Sequence, residues 1–269
     1  MRRLIINADD FGMDTAVDMA ILDLAQRGVV TSTSCMVLSP RWASSSASLA
    51  EQGLQAGVHL DFTSPFAARA GCHWPLPQLL ARALGGALDA SRVRSGIERQ
   101  LDRFEVAVQD VPRFVDGHHH VHQLPVVREV LVETLRSRYG RRERPVALRT
   151  CAPRRWRGVK AAAIAASGAR GLERLAHRHG LPTNSDFAGV YAFARDTDLS
   201  AHWSSWLQDL EGDLPLVMCH VAAWDEGAEV RAVRRARLRE YLWLASGEFR
   251  ALRDARGLQP CGWVEALDA

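Results

Sequence analysis

Short apolar runs alternate with longer helical patterns along the whole chain, and most of the runs end on an acid, a histidine or an arginine. Leu4-Ile5-Ile6-Asn7-Ala8 ends at Asp9-Asp10, and Gly57-Val58-His59-Leu60-Asp61-Phe62 carries His59. Phe114-Val115-Asp116 leads into Gly117-His118-His119-His120-Val121-His122, Pro145-Val146-Ala147-Leu148 ends at Arg149, and Leu214-Pro215-Leu216-Val217-Met218-Cys219 ends at His220. Such short apolar runs read as strands buried on both faces of a parallel sheet. Residues 29–38, 185–193 and 261–264 are further strand candidates, the last closing the sheet. Helical periodicity covers 14–27, 42–52, 91–109, 125–138, 152–180, 198–210 and 227–256. Gly28 and Gly180 act as stops and Pro125 as a start. Seven or eight strands alternating with helices predict an α/β fold in a single domain, 1–269, with a parallel sheet that is open or closed into a barrel. Residues 63–90, with Pro65, Gly71, Pro75, Pro77 and Gly85-Gly86, read as a loop excursion near the site, helical at 77–84.

Composition removes several classes of function. With 47% hydrophobic and 24% charged residues, the 269-residue chain can bury a large core. The net charge of +3 comes almost wholly from arginine, Lys160 being the only lysine. No single basic patch stands out, so no nucleic-acid partner is expected. Arg231, Arg234, Arg235, Arg237 and Arg239, with Glu229 and Glu240 as neighbours, read as a solvated helix face. The five cysteines are odd in number, scattered and without a C-x-x-C pair. That argues against a disulfide framework or a cysteine zinc site and for a cytoplasmic location. Residues 1–30 do not read as a signal peptide, and no apolar stretch of about 20 residues is present to span a membrane.

In a βα barrel the C-terminal ends of the strands meet at one face and build the active site. Asp9, Asp10, His59, the 118–122 cluster, Arg149 and His220 would then converge. One aspartate and two histidines with an open position suit a hydrolytic metal centre. Asp10, His59 and one cluster histidine supply the ligands, which leaves Asp9 as general base and His220 as the acid that protonates a leaving amine. Asp9-Asp10 also reads as a cap and first-turn acid for the helix that follows. If 118–122 is extended, His118, His120 and His122 face one way and His119 the other, so one ion takes one of them. Arg149 holds Asp9 or the substrate, or lies in a surface ion pair. Trp74, Trp203 and Trp206 read as core residues before sugar-stacking ones.

Five motifs together carry a resemblance: Asn7-Ala8-Asp9-Asp10-Phe11-Gly12, Thr31-Ser32-Thr33-Ser34, Gly57-Val58-His59-Leu60, Asp116-Gly117-His118-His119-His120-Val121-His122 and Met218-Cys219-His220. In this order, and across nearly the whole chain, the sequence resembles the YdjC-like carbohydrate deacetylases. The resemblance implies a distorted (β/α) barrel, TIM-barrel-like, that removes acetyl groups from N-acetylated sugars. It implies one divalent metal ion (Mg²⁺ or Zn²⁺) on Asp10, His59 and His118, with Asp9 as base and His220 as acid. Phe11, His120, His122 and Arg149 are the expected contacts to a small N-acetylated saccharide, and a homodimer is compatible with the family. Two positions depart from its pattern. Val221-Ala222 stand where Pro-Gly usually follows the late histidine, and Gly117 stands where Ser is common. The rival readings are a metal-dependent phosphoesterase, which needs two ions about 3.5–4 Å apart, and a carbohydrate-binding homologue without activity.

Overall fold

In chain order the elements are β1 (Arg2–Phe11), α1 (Thr15–Gln26), β2 (Ser32–Cys35), α2 (Trp42–Ser45), α3 (Ala47–Glu51), β3 (Gln55–Leu60), α4 (Pro65–Arg69), α5 (Leu76–Leu84), α6 (Ala90–Val108) and β4 (Phe114–Gly117). A 3-10 turn (His118–Gln123) leads to α7 (Val127–Tyr139), β5 (Ala147–Leu148), α8 (Val159–Ile164), a π-helical turn (Ala165–Ala169), α9 (Arg170–Arg178) and β6 (Asp186–Ala188). Then follow α10 (Leu199–Asp209), β7 (Pro215–Cys219), α11 (Arg231–Leu244), α12 (Gly247–Ala255) and β8 (Leu258–Pro260). This computed structural model describes residues 2–224 and 231–263.

All strand pairs are parallel, in the order β5-β4-β3-β2-β1-β7-β6. The sheet curls until its edges face each other. There the ladder shrinks to one bridge, Leu148 to Thr183, and Asn184 stitches the seam by accepting from Thr150 N–H (2.7 Å) and donating to the Thr150 carbonyl (3.0 Å). The fold is therefore a distorted (β/α) barrel, as expected. β8 does not close it. It lies at 258–260, earlier than expected, and pairs with the first residues of β1; Val264 lies outside the described residues.

Strand alternation sorts the core into two layers. Leu4, Ile6 and Ala8 of β1 pack outward against the helices, whereas Ile5 joins Phe114, Ala147, Phe187, Leu216, Met218 and Trp263 inside the barrel. The barrel is thus a packed core with no room for a pore. Gly57 lies where β3 passes this layer, and a Cβ there would meet the Phe114 ring and carbonyl at 2.6 Å. Trp74, Trp203 and Trp206 are buried core residues. Among the described residues, no helix is long and apolar enough to cross a membrane.

Several local expectations are corrected. Asp9 and Asp10 belong to β1; the cap of α1 is Asp14, whose carboxylate accepts from Val17 N–H at 3.0 Å. The histidine cluster is not extended: the segment forms a 3-10 turn, kinked where His119 (φ 53°) and His120 (φ 58°) take left-handed conformations. The stretch 152–180 is irregular up to Gly158 and kinked at Gly168 (φ 147°). The stretch expected as one helix over 227–256 breaks between α11 and α12, where Ser246 caps the second helix; 227–230 lie outside the described residues. Segment 42–52 divides into two short helices, and 63–90 holds both α4 and α5.

The arginine-rich face of α11 is not solvated throughout. Arg234 and Arg237 are buried, paired with Asp14 and Asp10 respectively, and Glu240 is wholly buried. Arg231 and Arg235 are the exposed ones, and Glu229 lies outside the described residues.

Candidate active site

β1 places two carboxylates on one centre by breaking its own alternation. Adjacent strand residues should face opposite sides of the sheet. Here the β1–β2 register shifts between Ala8 and Phe11, and Asp10 has φ +76°. This left-handed conformation is unfavourable for a residue with a Cβ, by about 1–3 kcal/mol, and persists only where its surroundings impose it. As a result, Asp10 Oδ1 lies 3.4 Å and Asp9 Oδ2 4.0 Å from the same His59 Nε2.

Asp9 is pinned from below. Arg149 Nη1 and Nη2 donate to its two oxygens at 2.6 and 3.0 Å, and Asn7 Nδ2 adds a bond at 2.8 Å. Burial alone would raise the Asp9 carboxyl, but the Arg149 cation, with His59 and His220, holds it well below the usual carboxylate range. Arg149 is wholly buried and also lies 2.9 Å from Asp116 Oδ2. Of the readings open for Arg149, the structure gives the ion pair to Asp9.

His59 Nδ1 donates to Asp116 Oδ1 at 2.6 Å, which turns Nε2 toward Asp10. Burial pulls the imidazole down, yet Asp116, Asp10 and Asp9 raise it to about 10. His118, 16% exposed, brings Nδ1 to 3.1 Å from Asp10 Oδ1. The other Asp10 oxygen accepts from Arg237 Nη2 at 2.6 Å. Burial opposes ionisation of Asp10 too, but Arg237 and the two histidines hold its carboxyl well below the usual range.

The ligand atoms of Asp10, His59 and His118 lie within 4.8 Å of one another. A carboxylate oxygen and two imidazole nitrogens, one ring oriented by a second carboxylate, form the donor set that a divalent ion takes. A second group, Asp9, His59 and Asp116, is equally compact, but both of its carboxylates are already paired with the Arg149 guanidinium.

His220 follows β7 at the next inward position after Leu216 and Met218. Its Nε2 is 3.8 Å from Asp9 Oδ2, and the Phe193 ring meets it edge-on at 5.5 Å. Burial pulls the imidazole down to about 4, against the pull of Asp9, so it is neutral at pH 7.

The remaining predicted residues divide. His120 is half-buried at the site, with Nδ1 3.3 Å from Cys151 Sγ, a thiol that burial pushes up to about 12. His122 is wholly buried and donates from Nε2 to the Arg149 carbonyl at 2.8 Å. Phe11 is wholly buried in the helix–sheet core. Neither His122 nor Phe11 presents a surface to a substrate. Sequence reasoning gave Asp116, Ser34 and Arg237 no part in the site's chemistry. Asp116 was detectable, since it shares the inward parity of Phe114. Ser34 Oγ donates to Asp116 at 2.5 Å.

The model of the YdjC-like proteins matches residues 3–255. The chain belongs to this family. A chitooligosaccharide deacetylase of Serratia marcescens is 34% identical over 145 residues, 51% of this chain and 56% of that protein. A carbohydrate deacetylase of Geobacillus stearothermophilus is 39% identical over 166 residues, 57% of this chain and 63% of that protein. The chain thus spans less than two thirds of the length of these relatives. Among solved structures, a protein of Enterococcus faecalis V583, described as a candidate cellobiose-phosphate cleavage protein, superposes with a TM-score of 0.72. The match covers 98% of both chains at 22% identity, which shows a shared fold.

Proposed function

We propose that this protein is a metal-dependent carbohydrate deacetylase that hydrolyses the N-acetyl group of an N-acetylated sugar or glycoconjugate. The observation that carries the reading is Asp9. It is an ionised carboxylate fixed by Arg149, beside the Asp10–His59–His118 donor set and 3.8 Å from a neutral His220. The names of the curated relatives supply the substrate class.

Asp10 Oδ1, His59 Nε2 and His118 Nδ1 would hold one divalent ion, Mg²⁺ or Zn²⁺, with imidazole donors favouring zinc. When bound, such an ion polarises the acetyl carbonyl and acidifies water. Asp9 takes a proton from the attacking water, whose oxygen forms the new bond to the carbonyl carbon. Asp9 Oδ2 lies 3.8 Å from His220 Nε2, beyond direct hydrogen-bond reach, and that proton passes to His220 once the span tightens around bound substrate. His220 gives it to the sugar nitrogen as the C–N bond breaks. His120, its Nδ1 engaged by Cys151, remains as the cluster histidine facing substrate. Arg149 acts through Asp9 and does not touch the sugar. Because the Arg149 cation fills the neighbouring acidic group, the site favours one ion over the pair a two-metal phosphoesterase requires. The five free cysteines favour a reducing, cytoplasmic setting.

Asp9→Asn tests the assignment. Acetate release from N-acetylated saccharides should fall by about 10²–10⁴-fold, with metal content by elemental analysis unchanged. Near-normal turnover would exclude Asp9 as the base. Absence of acetate from a broad panel of N-acetylated sugars, with each of several metals, would overturn the activity itself.

A further inference from the structure

Helix α11 sends a cation into the site from outside the set of strand ends. Arg237 Nη2 donates to Asp10 Oδ2 at 2.6 Å, while Asp10 Oδ1 faces His118 Nδ1 at 3.1 Å and His59 Nε2 at 3.4 Å. One carboxylate oxygen thus meets two imidazoles and the other a guanidinium. Arg237 is itself held in place. One turn earlier, Arg234 pairs with Asp14, the cap of α1. One turn later, Glu240 Oε2 accepts from His220 N–H at 3.1 Å and from Tyr191 Oη at 2.9 Å. Contacts on both sides fix how far α11 stands from Asp10.

We propose that Arg237 is a positioning residue that makes Asp10 a one-oxygen ligand and lowers the affinity of the site for a divalent cation. The inference rests on Asp10, His59 and His118 being the ligand set. A carboxylate oxygen held in a short, charge-assisted bond to guanidinium is kept from turning to a metal. The guanidinium cannot lose its proton, so its charge is permanent. Behind the carboxylate, in a medium of low effective dielectric, that charge opposes an incoming dication. Asp10 released from Arg237 would offer both oxygens, and the site would bind an ion more tightly but with a different ligand number.

The experiment is Co²⁺ binding to the full chain, followed by calorimetry and by the visible absorption of the bound ion. Arg237→Met removes charge and donor, and should bind Co²⁺ about tenfold more tightly than wild type, with a weaker, shifted absorption band. Arg237→Lys keeps the charge and should return the affinity to within about threefold of wild type. Arg237→Gln, closer in size and polarity, gives the same tightening if the methionine variant does not fold. A merely structural arginine would give the opposite result, weaker binding in Arg237→Met and Arg237→Gln. Unchanged or weaker binding in these variants, with a wild type that binds Co²⁺, overturns the role of Arg237 alone. A wild type that binds no Co²⁺ overturns the ligand assignment and this inference with it.

Discussion

Replacing Arg149 by methionine should destabilise the protein in a pH-dependent way. Its Nη1 lies 2.6 Å from Asp9 and 2.9 Å from Asp116, and all three side chains are buried. Removing one partner of a buried ion pair costs about 3–5 kcal/mol, because a charge is left uncompensated. Two carboxylates lose the same cation here, so the upper end of that range is expected at pH 8. In the wild type the Arg149 cation overcomes the burial that would raise Asp9, and keeps its folded-state pKa below the unfolded value. A group depressed in this way contributes stability that is present above the unfolded pKa and lost as pH falls through the folded one. In the variant, burial dominates and Asp9 shifts the other way, contributing stability only at low pH. The deficit should therefore be small near pH 4 and grow as pH rises. Urea unfolding at pH 5 and pH 8, with m-values compared, measures it. Adding Asp9→Asn should recover part of the loss at pH 8, since the two residues are coupled. A deficit below about 1 kcal/mol at pH 8, or one that does not vary with pH, would refute the reasoning.

Burial raises the Glu240 carboxyl to about 8, against the opposing pull of His220 N–H, Tyr191 and Arg237. Its stabilising proton is therefore fully counted below the unfolded pKa of about 4.5 and lost as pH rises to about 8. Glu240→Gln should flatten the pH dependence of unfolding free energy across this window by about 1.4 kcal/mol per pH unit; parallel curves for variant and wild type would contradict it. Gly57→Ala places a methyl 2.6 Å from Phe114 and should cost about 1–3 kcal/mol by overpacking, read as a lowered denaturation midpoint. An unchanged midpoint would show that the β3–β4 layer yields easily.

The strand ends were legible because a parallel barrel gathers them at one face whatever lies between. That rule alone brings Asp9, His59, His118, Arg149 and His220 together from five separate strands. Within β1 the rule fails for a physical reason. Alternation would send Asp10 away from Asp9, and only the left-handed turn at Asp10 brings both to His59. The histidine cluster escaped for the same reason, since His119 and His120 also depart from extended backbone. Helix α11 misled by composition, its arginines resembling a solvated face. Yet Ala236, Glu240 and Leu244 recur at helical spacing and are all buried, with Arg237 beside them.

Charge balance explains why that helix must turn an arginine inward. Among the described residues, the site buries three carboxylates, Asp9, Asp10 and Asp116. Arg149 answers Asp9 and Asp116, and His59, raised to about 10, supplies a second cation. One negative charge remains at Asp10, and an unpaired buried carboxylate is too costly to keep ionised. The missing cation has to come from an element that is not a strand end, and Arg237 supplies it at 2.6 Å. In the proposed metal site, an ion on His59 Nε2 would take the place of the proton there, and the same arginine would decide how much of Asp10 the ion receives. Arg237 thus belongs to the assembly of the site as much as the residues on the strands, though it lies 227 residues from its partner.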